Sequence, residues 1–414
     1  MSRVTGDEPT TGCRVCGGTV EQWCDLGRQP ISQDFRDPAA TDPEYFFHLA
    51  VGVCLSCAMV QQLEQVPSEL MFHADYPYRS SGSEFMRRHF AGVARRLLAT
   101  ELAGPDPFAV EIGCNDGIML GTIAAAGVRH LGVDPSRRAT ETAEAAGVRV
   151  RVDFFDEATA REILAAEGPA DLIYSANTVS HIPFLGSVFR GAATLLAPDG
   201  VFVFEDRYLG DILDNAYFDQ IYDEHCYLFA VRSVQALAAR SGLELVGAER
   251  IPVHGGSIRY TVARAGARPP GPEIAELLAW EREQGLHRPE RLRRFTARME
   301  QIRADLVDLL RDLRAAGHRV VGYGATAKSA TVTNYCGIGP DLVEFVCDST
   351  PGKQGLVTPG MHLPIRPPES FADPYPDYAL LFAWNHAEEI MAKEHAFREQ
   401  GGKWILYVPK VHIV

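Results

Sequence analysis

Between residues 106 and 264 the chain alternates short apolar runs with stretches of helical periodicity. The runs fall at 109–112, 128–133, 171–174 and 200–204, and segments such as 118–126 and 158–167 carry the helical pattern between them. Strand and helix in alternation predict a parallel sheet covered on both faces. Residues 243–251 and 257–262 flank His254-Gly255-Gly256 and read as a hairpin, so the sheet is expected to be mixed. Upstream, 68–100 turns helical, with Phe85, His89, Val93 and Leu97 on one face. The first 66 residues lack helical periodicity and are rich in Cys, Gly, Pro and Asp, the pattern of a small loop-rich unit. A Gly/Pro/Ala/Arg stretch at 264–272 reads as a linker, and the charged helical segment 273–316 is split in two by His287-Arg288-Pro289. From Arg319 onward apolar runs at 320–323, 342–347, 378–384 and 404–408 predict a second, smaller α/β unit. The expected division is 1–66, 67–263 and 264–414, with no internal repeat.

Composition narrows the function. At 414 residues, 46% hydrophobic and 23% charged, the chain has the balance of a soluble globular protein of two or three domains. No apolar run reaches the ~18 residues of a membrane span, and the polar start lacks a signal peptide's apolar core, so a cytoplasmic protein is expected. The 54 acidic residues outnumber 40 basic ones, and a net charge of −14 disfavours nucleic acid as a partner. The expected assembly is a monomer.

Nine cysteines, five of them before residue 58, do not form a secreted disulfide framework. Cys13-x-x-Cys16 and Cys54-x-x-Cys57 each place two thiolates on a tight turn, and together they supply the four soft ligands of a closed, structural zinc site. The alternative is a set of unliganded core thiols. The 37 residues between the pairs must carry structure of their own, and isolated Cys24 reads as a small buried residue.

An apolar strand ends at Glu111 and enters the turn Gly113-Cys-Asn115-Asp116-Gly117; the next run ends at Asp134, where a carboxylate suits a ribose diol. An acidic strand end followed by G-x-x-x-G resembles the first motif of S-adenosylmethionine (SAM) methyltransferases. That likeness implies that Glu111, Gly113, Asn115, Asp116, Gly117 and Asp134 bind SAM, that Asp153 and Phe154 flank its adenine, and that Asn177 lies beside its sulfonium.

Tyr222-Asp223-Glu224-His225-Cys226-Tyr227 concentrates acid, base and phenol after a strand ending in Glu205-Asp206. Such a cluster is either a salt-bridged or core segment or, given its place beyond a strand end, functional. His181 follows another strand end, and Tyr76 and Tyr78 sit where the first unit meets the second. Gly322-Tyr-Gly324-Ala-Thr326-Ala327-Lys328-Ser329, with Asp348 21 positions after Ala327, meets the spacing of a dinucleotide fingerprint. Its lysine at a helix start equally suits the diphosphate of a substrate.

Taken together, the paired CxxC, EIGCNDGIML, FDQIYDEHCYLF, VHGGSIRY, GYGATAKSATVTNYCGIGPDL and DYALLFAWNHAEEI resemble the SAM-dependent C-3 methyltransferases of TDP-linked 4-keto deoxysugars in antibiotic sugar pathways. The resemblance spans nearly the whole chain. It implies a zinc module, a Rossmann-like α/β SAM domain and a C-terminal Rossmann-like domain, with the nucleotide sugar bound between the last two. It further implies an active-site set of Tyr76, His181, Tyr222, Glu224 and His225, and substrate contacts from Gly324, Thr326, Lys328, Ser329 and Asn385. Methylating carbon beside a ketone requires an enolate, hence a base and donors to the oxygen. His225 is the expected base with Glu224 assisting, or Glu224 takes that role itself. An O- or N-methyltransferase is the nearest alternative, and an NAD-dependent sugar oxidoreductase a more distant one.

Overall fold

The computed structural model describes residues 12–71 and 80–414. The N-terminal unit is built on strands rather than loops. Strands β1 (Val20–Pro30), β2 (Phe46–Cys54) and β3 (Val60–Gln62) pair antiparallel, and the β1–β2 hairpin occupies the long spacing between the two cysteine pairs. Two facts hide these strands from a period-of-two reading. Register shifts interrupt β1 at Gln22/Cys24 and Asp25/Arg28, and the last six residues of β2 are all buried, so its inward and outward positions do not alternate in polarity.

The central sheet has seven strands. β4 (Phe108–Ile112), β5 (Arg129–Val133), β6 (Val150–Arg151), β7 (Ala170–Ala176) and β8 (Leu196–Arg207) run parallel. A short strand, β9 (Tyr227–Leu228), leaves this unit to pair with β3, extending the N-terminal sheet to four strands. The hairpin β10 (Leu243–Ile251) and β11 (Ser257–Arg264) closes the central sheet antiparallel against β8. Every residue of β4 is buried, the continuous apolar run that a two-sided parallel strand requires. With β5 on one side and β7 on the other, β4 stands at the point where the winding reverses, and its carboxyl end opens there into a crevice.

Helix α1 (Glu84–Ala99) is capped by Ser83, whose Oγ accepts from Met86 N. Its buried face is Met86, Phe90, Val93, Ala94 and Leu97, whereas Phe85 is 40% exposed and His89 Nε2 meets Glu205 Oε2 at 2.7 Å. The strict four-residue stride of the sequence reading drifts off the face, because a 3.6-residue turn alternates strides of four and three.

α2 (Pro272–Gln284) and α3 (Pro289–Ala315) are divided at 285–288, where Gly285 takes the left-handed conformation, φ 61°. The buried stripe of α3, Leu292, Phe295, Met299, Ile302, Leu306, Leu310 and Leu313, packs in one core cluster with residues of all three sheets. Trp23 Nε1 donates to Leu292 O at 3.1 Å and Cys24 Sγ lies 3.7 Å from Met299 Sδ, so α3 ties the N-terminal unit to the rest. The last sheet takes β12 (Val320–Tyr323), β13 (Val346–Cys347), β14 (Ile365–Arg366), β15 (Tyr378–Leu381), β16 (Lys403–Leu406) and β17 (His412–Ile413), parallel except for β17. The fold is α/β with two Rossmann-like sheets. Among the described residues no helix is long and apolar enough to cross a membrane.

Candidate active site

The four sulfurs of Cys13, Cys16, Cys54 and Cys57 lie within 4.8 Å of one another, with Cys13–Cys57 at 3.6 Å and Cys16–Cys54 at 3.4 Å. A tetrahedral zinc with bonds of about 2.3 Å sets its sulfurs ~3.8 Å apart, so the set fits the ion. Backbone N–H groups of Gly18 and Cys57 point at Cys16 Sγ and Cys54 Sγ, at 3.4 and 3.5 Å, and stabilise thiolates there. The hydrogen bond from Cys57 holds the Cys13 thiol down to about 5. All four positions are filled by protein, which makes the site structural.

A cavity of about 1670 Å³ opens where the carboxyl ends of the central strands face the C-terminal unit. One wall carries Gly113, Asn115, Asp134, Asp153, Phe154 and Asn177. Asp134 accepts from Asn115 N at 3.0 Å and from Ser136 N at 2.8 Å, tying the glycine turn to the end of β5. A Cβ on Gly113 would strike the Thr178 side chain, so the turn needs glycine to lie against the loop that follows β7. Asn177 adopts φ 51° and its Oδ1 has no partner among the described residues; Phe154 is left 45% exposed. A carboxylate, a free amide oxygen and an uncovered aromatic ring on one wall fit the diol, the cationic end and the base of SAM.

Three residues expected here are off the wall. Glu111 is buried behind it, where loss of hydration pushes its carboxyl well up and Leu120 N is a donor. Asp116 Oδ2 accepts from Ser81 N at 3.0 Å, which anchors the approach to α1. At Gly117 a Cβ would meet Ala143 and Val148, so this glycine serves the packing of the helix Arg137–Ala145.

The acid–base residues converge. Tyr222 and His225 have ring centroids 3.9 Å apart, His181 and His225 5.1 Å, and His181 Nδ1 stands 3.9 Å from Glu224 Oε2. His225 Nδ1 bonds to the Gln220 carbonyl, which fixes the hydrogen on Nδ1 and the lone pair on Nε2. That Nε2 has no partner among the described residues. Burial, then the nearby Arg207 charge, pushes His181 down to about 3 and His225 well below its ordinary range, so both rings are neutral. His181, Tyr222 and Glu224 line the cavity, while His225 stands one layer behind. Tyr76 and Tyr78 lie outside the described residues.

Across the cavity stand Thr326, Lys328 and Asn385; Gly324 and Ser329 are off the wall, the one against Ala383 and the other donating to Thr326 O at 2.6 Å. Lys328 Nζ donates to Asn385 Oδ1 at 2.6 Å and sits over the Trp384 ring, and burial brings its ammonium down to about 8. Asp348 accepts from Ala325 N and Thr350 N, both at 2.8 Å, the same arrangement that Asp134 makes in the central unit.

Arg207, His254 and Lys353 are among the cavity residues missed by the sequence reading. Arg207 ends β8, directly after the Glu205-Asp206 pair singled out above, so its position was readable. His254 belongs to the hairpin turn, and Lys353, which donates to Ala325 O at 2.8 Å, ends the short 3-10 helix Pro351–Lys353, which carries no motif.

A family model for a C-methyltransferase C-terminal domain matches residues 252–409, one for a methyltransferase domain 84–248, and one for a zinc binding domain 13–72. C-methyltransferase NovU of Streptomyces niveus is 36% identical over 98% of this chain and 97% of its own. A ubiquinone biosynthesis O-methyltransferase of Ralstonia nicotianae is 36% identical over 93 residues, 22% of this chain and 39% of that one. Among solved structures, N-methyltransferase NodS from Bradyrhizobium japonicum with S-adenosyl-L-homocysteine is 17% identical, covers 47% of this chain and 95% of its own, and has a TM-score of 0.35, a likeness too slight to argue from.

Proposed function

Since the chain belongs to the SAM-dependent C-methyltransferase family, we propose that it methylates C-3 of a TDP-linked 4-keto deoxysugar, a 3-amino-4-keto-2,3,6-trideoxyhexose in antibiotic sugar biosynthesis, and that it does so as a monomer. We take the units as 1–66 for zinc, 67–263 for SAM and 264–414 for the nucleotide sugar. The observation that carries this reading is the shared cavity. Asp134 and Asn177, the Tyr222–Glu224 cluster and the Lys328–Asn385 pair line a single space, as two substrates and an acid–base group require.

When bound, SAM supplies a methyl group already activated on sulfur, so the protein's task is to make the carbon nucleophilic and place it. Asp134, Asn177 and Phe154 are the residues that would hold it. Lys328 and the start of the helix Ala327–Cys336 would meet the diphosphate with an ammonium and the positive end of the helix. The Glu224–His225 pair takes the C-3 proton. Glu224 presents the carboxylate at the wall, and His225, one layer behind, offers the lone pair on its Nε2 to a proton passed inward. Tyr222 and His181 donate toward the C-4 oxygen.

The test is exchange of the C-3 proton in heavy water, followed by NMR with the TDP-sugar and a non-transferring SAM analogue. Wild type is expected to exchange it. His225→Asn and Glu224→Gln are expected to lose 10²- to 10⁴-fold, the range for one general base. A folded variant that exchanges like wild type removes that residue from the pair, and an inert wild type removes the enolate.

A further inference from the structure

Arg207 is the last residue of β8, at the carboxyl end where the central sheet opens into the cavity, and it lines that cavity while only 8% exposed. Its Nε and Nη1 have no hydrogen-bond partner among the described residues. The carboxylate beside it does not neutralise it well. Asp206 Oδ1 stands 3.8 Å from Nη1 and already accepts from Ser180 Oγ at 2.7 Å, while Oδ2 accepts from Ser180 N at 2.9 Å. A guanidinium cannot shed its proton, so this buried charge with open donors costs stability in the free protein.

The other cavity cations are spent differently. Lys328 is bound to Asn385, Lys353 to the Ala325 carbonyl, Arg190 to Glu157 and Arg151 to Asp153 and Glu162. Arg14 also has an open nitrogen, but it is only partly buried and its charge bears on Cys226 and Tyr227. Arg207 instead acts on His181, His225, His254 and Lys328, which places its charge amid the acid–base cluster.

We propose that Arg207 is a catalytic residue that holds the negative charge developing on the ketone oxygen as the neighbouring C–H bond breaks. The inference rests on the enolate reading above. The C–H bond breaks, its proton passes to the Glu224–His225 pair, and its electrons form the C–C double bond while the carbonyl pair moves onto oxygen. The open N–H groups of Arg207 donate to that oxygen. When the C=C electrons form the new bond to the methyl group, the methyl–sulfur bond would break and leave its pair on a neutral thioether, the C=O re-forms and the guanidinium is released. A ground-state ketone needs no such partner, so the donors act mainly on the transition state.

The experiment compares Arg207→Met and Arg207→Lys with wild type in the heavy-water exchange assay at saturating TDP-sugar, with melting temperature and SAM affinity measured alongside. Arg207→Met is expected to slow exchange 10²- to 10³-fold, the range for removing one oxyanion donor, and to leave SAM affinity unchanged. Its melting temperature is expected to equal or exceed that of wild type, because an unneutralised buried charge has gone. Arg207→Lys, which keeps a charge but loses the fork, is expected to lose at least 10-fold. Exchange at the wild-type rate in a folded variant overturns the proposal. So does a defect confined to KM for the sugar nucleotide, which assigns Arg207 to the diphosphate, and so does a variant that loses exchange only in proportion to lost folded protein. A wild type that does not exchange fails separately, at the enolate itself, and takes Arg207 with it.

Discussion

Gln62, on the last strand of the zinc-binding unit, donates from Nε2 to the main-chain carbonyl of Tyr222 at 2.6 Å and reaches that of Asp223 at 3.1 Å. Gln62 N also donates to Cys226 O at 2.9 Å, and Ser32 N to the Asp223 carboxylate at 3.2 Å. The segment bearing Glu224 and His225 is therefore bracketed by hydrogen bonds from the N-terminal unit.

Gln62→Ala is expected to lower kcat roughly 10-fold while SAM affinity and one zinc per chain persist, since a small displacement of a positioned base is enough to slow turnover. It takes the donor from the Asp223 carbonyl and one of two donors from the Tyr222 carbonyl, which keeps His225 N at 2.9 Å, at a cost of about 1–2 kcal/mol. Steady-state kinetics with elemental analysis checks it; full kcat in the variant shows that the segment holds its own position.

Cys16→Ser is expected to lose zinc, melt at lower temperature and yield less folded protein, because binding free energy at a closed site is folding free energy. Elemental analysis and thermal melts decide. A zinc-free variant of unchanged stability contradicts the structural role.

Asp134→Ala removes the acceptor of Asn115 N–H as well as the proposed ribose partner. Charged hydrogen bonds are worth about 1.5–3 kcal/mol, so SAM is expected to bind roughly 10- to 100-fold more weakly by calorimetry. Equal affinity rejects the assignment.

Lys328 sets a pH dependence. Burial lowers its folded value to about 8, so in the free enzyme it is charged below that pH and neutral above it. Diphosphate binding needs the charge, hence kcat/KM for the sugar nucleotide is expected to fall as pH rises through about 8. Lys328→Arg, which stays charged, is expected to move that limb to higher pH. A limb unmoved by the substitution belongs to another group.

The sheets were legible where strands are buried on both faces, as in β4, whose five residues are all inside. The bulged β1 was not, because its register shifts break the period, and β2 was not, because His48 and Gly52 interrupt its apolar run. In the site, residues that act from a strand end or a glycine turn were readable: Asn115, Asp134, Asn177 and Lys328 all reach the cavity. Glu111 and Gly117 belong to the same motif yet stand behind the wall, since a motif fixes the local chain and not which side of it a ligand meets. Gln62 acts on Tyr222 across 160 residues, a relationship that no spacing rule contains.

The central claim is that carbon receives the methyl group, and it is tested by supplying SAM labelled with carbon-13 in its methyl together with the TDP-linked 3-amino-4-keto sugar. NMR of the product is expected to show the labelled methyl bonded to a ring carbon that has lost its proton, with the chemical shift of a C-methyl and not of an N- or O-methyl. A label on the amino nitrogen or a hydroxyl oxygen, with the C-3 proton retained, contradicts the account.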